Sequence, residues 1–479
     1  ISYPGFYTSM GMIDTHPALK AASPQAPIAD LFQGDDVSHN GALFLAANFG
    51  FSHFFDQKLP DPLRDSAEGF KYRTPDGYRF FLELGPLSNA DSLYFKGAHP
   101  TWSLAMDHPV YDDFWKARNI RPHLRNIRCA VLTVGGWFDA EDLSGALETY
   151  RWTERQNPGI TNLLVMGPWS HGQWAGETGE SLGHVHFRSK TAEFYREKIE
   201  LPFFRRFLKD DTNAPIAEAQ VFETGTHQWR RFDQWPPAQA VPRTLHLAPR
   251  SQLAWTPPSA PEAGYDEYLS DPARPVPHTT AVTTGYDRTY MVGDQRFAAQ
   301  RPDVLVYQTE ILEDDLTFAG PLAVTLHVST TGTDSDWVVK LVDVYPGDFP
   351  DPNPNPAGVR MGGYQQLVRG EPFRGKFRRS FEKPEPFVPG QVERLAFTMP
   401  DILHTFRRGH RIMVQVQSSW FPLVDRNPQT FVTIPQARAE DFRPATQRVY
   451  HTAEFPSSIT VSVLPPRTGP DSLLSVPKP

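Results

Sequence analysis

Three side chains far apart in this chain of 479 residues have the types and settings that acyl transfer needs. The chain opens ISYPG, and Ser2, Tyr3, Pro4 and Gly5 read as the tail of a G-x-S-x-G turn whose first glycine would lie just before Ile1. In such a turn a serine sits where a strand bends sharply into a helix. Its hydroxyl then stands clear of the sheet, and the next backbone N–H, here that of Tyr3, aims at a developing oxyanion. A serine hydroxyl is a weak nucleophile until an imidazole takes its proton, and a buried carboxylate must hold that imidazole in one tautomer. VLTVGGWFD places Asp139 just beyond one apolar run, and LLVMGPWSH places His171 just beyond the next. Ser2, Asp139 and His171 are the candidate nucleophile, orienting acid and general base, in that order along the chain.

The elements that must position them are legible around each. RCAVLTVGG is a β-branched apolar run closed by glycines, the mark of a buried parallel strand. AEDLSGALETYRWTERQ follows as a helix and TNLLVMG as a second buried strand, giving a βαβ unit. Before them, residues 1 to about 30 predict a turn, a helix whose Gly5, Ser9 and Gly11 allow close packing on a sheet, and a short strand ending at Pro27. The aromatic-rich stretches GALFLAANFGFSHFF and PVYDDFWKARNI mark a mostly helical insertion. Strands with serine, acid and histidine following in this order predict an α/β-hydrolase domain over 1–40 and 123–214, interrupted by a helical cap over 41–122. From 215 to 479 the pattern changes to short alternating segments (RTLHLAP, PLAVTLHVST, WVVKLVDVY, ERLAFTM, RIMVQVQSS, SSITVSVLP) between Pro, Gly and Asp turns, which predicts a jelly-roll β-sandwich. The 47 prolines, about twice the usual share, fit that turn-rich half.

Composition narrows the partners. A net charge of -8 without a basic block gives no electrostatic footprint for nucleic acid or anionic lipid, and no apolar run of about 18 residues could span a bilayer. The expected partner is a small-molecule ester or amide. Cys129 is the only cysteine, which excludes an intrachain disulfide and a thiolate metal site. His171, His184 and His186 have no HExxH frame, so neither a metal nor a cofactor is expected. Trp137, Trp169 and Trp174 flank the two triad strands and are candidate walls of an acyl pocket.

The pair GGWFDAEDLSGAL and GPWSHG, the opening SYPG followed by HPALKAASP, and a sandwich behind them resemble the family of α-amino-acid ester hydrolases, cocaine esterases and X-prolyl dipeptidyl peptidases. The resemblance covers essentially the whole chain. It implies the architecture read above, the triad roles already given, the Tyr3 N–H as one oxyanion donor, and a second donor from a tyrosine upstream. It implies a homo-oligomer and a periplasmic or secreted setting as well. In the amino-ester branch three acids hold the substrate's ammonium, two lying two and three places after the triad acid and one about 34 after the nucleophile. Glu141, Asp142 and Asp36 occupy those positions. Three carboxylates around one cation favour its charged form and punish a substrate that leaves them unpaired. Acids in a first helical turn are also favoured by the helix dipole, which would account for Glu141 and Asp142 without a ligand, and Asp35 competes with Asp36 for the third place.

The resulting expectation is a serine hydrolase that acylates Ser2 with an α-amino acyl group and passes it to water or to an amine such as a β-lactam nucleus. The alternatives are a general acyl esterase or glutaryl-type amidase, a dipeptidyl peptidase, and a catalytically silent binding protein. A chain that starts at the elbow is further expected to be part of a longer protein, since the strand leading into the serine would precede Ile1.

Overall fold

A computed structural model describes residues 1–60, 65–211, 216–259, 264–285 and 287–466. Helix α1 (Tyr3–Met12) leads to a minimal strand β1 (Ala21–Ala22). The expected strand up to Pro27 is broken because Pro24 and Pro27 cannot donate to a ladder; Ala26 still donates to the Val134 carbonyl at 2.8 Å. A three-stranded meander, β2 (Gly34–Asp35), β3 (Ser38–His39) and β4 (Ala42–Leu43), precedes the cap.

The cap is helical as expected: α2 (Leu45–Phe55), α3 (Gly77–Leu84), α4 (Ser88–Ala90), α5 (Pro100–Asp107) and α6 (Asp113–Lys116). Its core gathers around Phe49, whose ring is within 6.1 Å of those of Phe80, Phe81, Phe95 and Trp102.

β5 (Ala130–Gly136) is buried at every residue, as is β6 (Asn162–Gly167), and α7 (Leu143–Gln156) joins them. These two strands are parallel, with Gly136 opposite Gly167, so the loops carrying Asp139 and His171 leave the sheet side by side at its carboxyl edge. Gly136 is required there: a Cβ would overlap the Trp169 carbonyl oxygen. That close approach lets Trp137 N–H donate to Gly167 (2.8 Å) and Phe138 N–H to Trp169 (3.0 Å), clamping one loop to the other.

Beyond a short hairpin, β7 (Ser181–Leu182) with β8 (Val185–His186), the sheet continues with β9 (Ala219–Glu223) and β10 (Gln228–Phe232). Its order is β1-β5-β6-β9-β10, parallel except for β10. The hydrolase sheet therefore extends past the expected boundary at 214. The remainder is an antiparallel sandwich that places a strand on each alternating segment predicted, the longest being Leu316–Thr330 paired with Glu393–Phe406. Among the described residues two apolar clusters are wholly the sandwich's own, while the hydrolase cluster runs on into its residues Val338, Val342, Leu403 and Met413. The two parts share a core.

Candidate active site

Ser2 adopts φ 60°, ψ -130°, the strained conformation of a residue at a sharp turn into a helix, and α1 starts at the next residue. Its amide donates to the Gln25 carbonyl at 3.1 Å, fixing the turn against the chain that follows β1. The glycine of the elbow stands one place later than the strict pattern, because Pro4 fills the first turn of α1. A Cβ at Gly5 would overlap the Gln25 carbonyl oxygen, so this glycine sets how closely α1 approaches the sheet. Ser9 is buried on the same face, whereas Gly11 is exposed with nothing near it and packs on nothing.

Asp139 is buried, and its Oδ1 accepts the N–H groups of Glu141 (2.9 Å) and Asp142 (3.1 Å). Its two oxygens lie 3.0 and 2.9 Å from His171 Nδ1. Burial alone would raise the Asp139 carboxyl. The charge and hydrogen bond of His171, with the two backbone donors, outweigh it and hold the group below its ordinary value. Burial likewise works against the imidazolium of His171, but Asp139, with Glu141 and Asp36, lifts it to about 9. The histidine loop lies against the nucleophile's turn: a side chain at Gly172 would touch Ile1 at 3.8 Å. Among the described residues no hydrogen bond joins the Ser2 hydroxyl to the ring; His171 Nε2 faces Glu141 Oε2 at 3.5 Å. Nucleophile–base contacts of this kind often close only around substrate.

The structure separates Asp35 from Asp36. Asp35 is buried, accepting from Ala29 (2.8 Å), Asp30 (2.9 Å) and, at the start of α7, Gly145 (2.6 Å). It caps the helix and ties down the loop. Asp36 lines the same cavity as Ser2 and Glu141. Asp142 is the cap residue of α7, yet its side chain makes no capping bond, and both its carboxylate oxygens are buried without a hydrogen-bond partner. Helix capping, then, is done by Asp35 and does not account for Asp142. Burial raises all three acids: Asp36 to about 6, helped by Asp139 and opposed by His171 and His39; Glu141 to about 7, opposed by His171 and Arg288; and Asp142 well above its ordinary value, with Asp36, Asp35, Asp139 and Glu141 adding to it. Acids this crowded and desolvated favour an added cation.

The cavity over Ser2 measures about 250 Å³. Its apolar wall comes from the cap: Phe51 and Phe55 of α2, Leu104 of α5, and Phe114 and Trp115 of α6. The tryptophans expected on that wall are elsewhere. Trp137 is 1% exposed and donates to the Phe222 carbonyl at 2.8 Å; Trp169 is fully buried and donates to Thr191 Oγ1 at 2.8 Å. Trp174 is buried too, bonded to Gln25 Oε1. Each indole follows or flanks a strand end and turns into the core beneath the loops instead of toward the cavity. The cap aromatics that do line it were visible as GALFLAANFGFSHFF and PVYDDFWKARNI, but helical spacing alone does not separate wall from core.

With this geometry described, comparison with known proteins adds the following. Residues 1–173 match the model of the X-Pro dipeptidyl-peptidase (S15 family), and residues 212–460 that of the X-Pro dipeptidyl-peptidase C-terminal non-catalytic domain. Cocaine esterase of Rhodococcus sp. (strain MB1 Bresler) is 27% identical over 485 residues, covering 97% of this chain and 80% of that protein. Two solved structures are each 38% identical with a TM-score of 0.89. One is an aminopeptidase from a marine sediment archaeon, Thaumarchaeota archaeon, covering 97% of this chain and 76% of its own; the other is an α-amino acid ester hydrolase, covering 96% and 75%.

Proposed function

The chain belongs to the serine hydrolase family of X-Pro dipeptidyl-peptidases and cocaine esterases, and from that premise we propose that it hydrolyses esters or amides of α-amino acids through an acyl-Ser2 intermediate. In the first half-reaction Ser2 Oγ attacks the carbonyl carbon while His171 Nε2 takes the hydroxyl proton. The Tyr3 N–H receives the oxyanion, and Asp139 holds the imidazolium through Nδ1. Collapse breaks the bond to the leaving group, which takes the proton from His171 and departs as an alcohol or amine. Water then repeats the sequence in reverse and frees the acid. An amine in place of that water, such as a β-lactam nucleus, would accept the acyl group and form an amide.

The observation that carries the α-amino part is the acid cluster: Asp36 and Glu141 on the wall of the Ser2 cavity, with Asp142 behind them, both of its side-chain oxygens buried without a hydrogen bond among the described residues. An ammonium on the carbon next to the scissile carbonyl supplies the missing cation. The amino-terminal residue of a peptide carries the same group in the same place, and the likeness to an aminopeptidase favours that as a second reading. Mass spectrometry of enzyme quenched during turnover of phenylglycine methyl ester tests the proposal. The peptide containing Ser2 should carry a phenylglycyl adduct that Ser2→Ala abolishes; turnover with no adduct on Ser2 and full activity in Ser2→Ala would refute it.

A further inference from the structure

We propose that in the resting enzyme Glu141 holds His171 as the imidazolium, and that the substrate's ammonium, by drawing Glu141 to itself, releases that proton and switches the general base on. The inference rests on the ammonium reading of the acid cluster and adds a regulation of the same site.

The geometry has two parts. His171 has acids at both ring nitrogens: Nδ1 is hydrogen-bonded to Asp139 at 2.9 Å, Nε2 faces Glu141 Oε2 at 3.5 Å, and Asp142 Oδ2 lies 3.9 Å from Nδ1. An imidazole with carboxylates at both nitrogens is set up to carry two protons, and in that state it cannot accept one from Ser2. Glu141 also stands on the wall of the cavity where the substrate must lie. One carboxylate therefore faces both the base and the place of the ammonium.

The groups that bear on His171 come from two segments. The stretch between β5 and α7 contributes Asp139, Glu141 and Asp142, and the turn between β2 and β3 contributes Asp36, itself near His39. Arg288 acts on Glu141, and Asp139 adds to the rise of the Tyr290 hydroxyl, which burial chiefly causes. Asp139 first, then Glu141 and Asp36, favour the imidazolium and outweigh the burial that opposes it, raising His171 to about 9; on this proposal the resting base is protonated at neutral pH. A second cation placed among the same acids reverses this. A like charge within about 4–6 Å shifts a neighbour's pKa by roughly one to three units, and here the shift is downward for His171. The proton leaves to water, Nε2 gains a lone pair, and Ser2 can be deprotonated. A substrate without the amino group leaves Glu141 on the histidine and the base switched off, so recognition and catalysis are coupled through one side chain.

The test is a pH titration by NMR of the protein labelled with 15N-histidine, with the His171 signals assigned by their loss in His171→Gln. It is run with and without saturating benzylamine, a cation that carries no scissile bond. Competition by benzylamine against phenylglycine methyl ester is measured alongside. The expected result is competitive inhibition together with a fall in the His171 midpoint of about one unit or more. Glu141→Gln should lower the midpoint without the amine and raise turnover of phenylacetic acid methyl ester near neutral pH, on the order of tenfold for each unit lost. Competitive inhibition with an unmoved His171 midpoint overturns the switch and leaves the ammonium site standing. Absence of any inhibition overturns the ammonium site, and the switch with it.

Discussion

Asp142 is an acid at a helix start that does not cap its helix. The sequence offered two explanations for Glu141 and Asp142, a ligand and the helix dipole, and spacing could not choose between them. The positions of two other acids bear on that choice. Asp35 takes the Gly145 amide and Asp139 takes the amides of Glu141 and Asp142, so the donors at the head of α7 are met by residues other than the pair in question. Relieved of capping, Asp142 remains buried without a hydrogen bond, its carboxyl raised well above the ordinary value by burial and the neighbouring acids, and a cation placed beside it would favour its charged form. The same crowd of acids makes a pH prediction. His171 must be neutral to act as a base, and its protonated form is favoured up to about 9. Hydrolysis of phenylacetic acid methyl ester, which brings no charge of its own, should therefore show kcat/KM rising with pH until it levels near that value. A profile already level at pH 6.5 would show that the acids do not hold the proton on His171.

Among the elements, those that were legible are those whose residues face one environment. β5 and β6 are buried on both sides and read as continuous apolar runs, and the sandwich strand Asp336–Val344 is buried on both sides as well; sandwich strands such as Val241–Ala248 and Ala445–Tyr450 alternate because one face meets the core. β10 is hard to read from sequence because QWRRF carries two arginines. One of them, Arg230, is buried against Glu223 at 2.8 Å, a pairing that no local pattern announces. The cavity wall was hidden for a related reason. Phe55 sits in the same helix as Phe49, the centre of the cap's own core, and only the tertiary arrangement tells lining from packing. The candidate triad was readable because Asp139 and His171 each follow a strand with a clear signature and Ser2 stands at the start of a helix. α1 gives the sharpest test of how an element positions the site. Gly5→Ala must push the helix off the Gln25 carbonyl, at a cost of about 1–3 kcal/mol. Ser2 moves with it, so labelling of Ser2 by a fluorophosphonate should slow on the order of tenfold or more. Gly11→Ala, on the exposed face of the same helix, should change neither stability nor labelling by a comparable amount. Equal behaviour of the two variants would mean that α1 does not set the position of the nucleophile.

On the scale of the whole molecule, the hydrolase part and the sandwich are one packed body. Arg374 of the sandwich pairs with Asp336 and Asp425, and Asp425 also accepts the Leu43 amide of β4 at 3.0 Å, so the meander that carries Asp36 is pinned to the sandwich. Lys340 lies wholly buried in the strand Asp336–Val344, its Nζ donating to Gln295 Oε1 at 2.9 Å and standing 5.1 Å from the centroid of Trp420. Burial lowers it to about 7. The folded protein thus gives up this proton near pH 7, while an unfolded lysine keeps it to about 10.4. Between those values the unfolded chain binds more protons, and the stability owed to this position rises with pH. Lys340→Met lacks that slope. Thermal unfolding from pH 7 to 10 should show the native protein gaining on the variant as pH rises; a constant difference in Tm would contradict the buried, deprotonating lysine.

In the proposed function the acids around Ser2 select an α-ammonium. The most direct test is the ratio of kcat/KM for phenylglycine methyl ester to that for phenylacetic acid methyl ester, two substrates that differ only in the amino group. Charge-assisted contacts worth a few kcal/mol predict a ratio on the order of 10² or more. A ratio near one, with both esters turned over, would contradict the claim: the hydrolysis would stand, and Asp36, Glu141 and Asp142 would have no part in choosing the substrate.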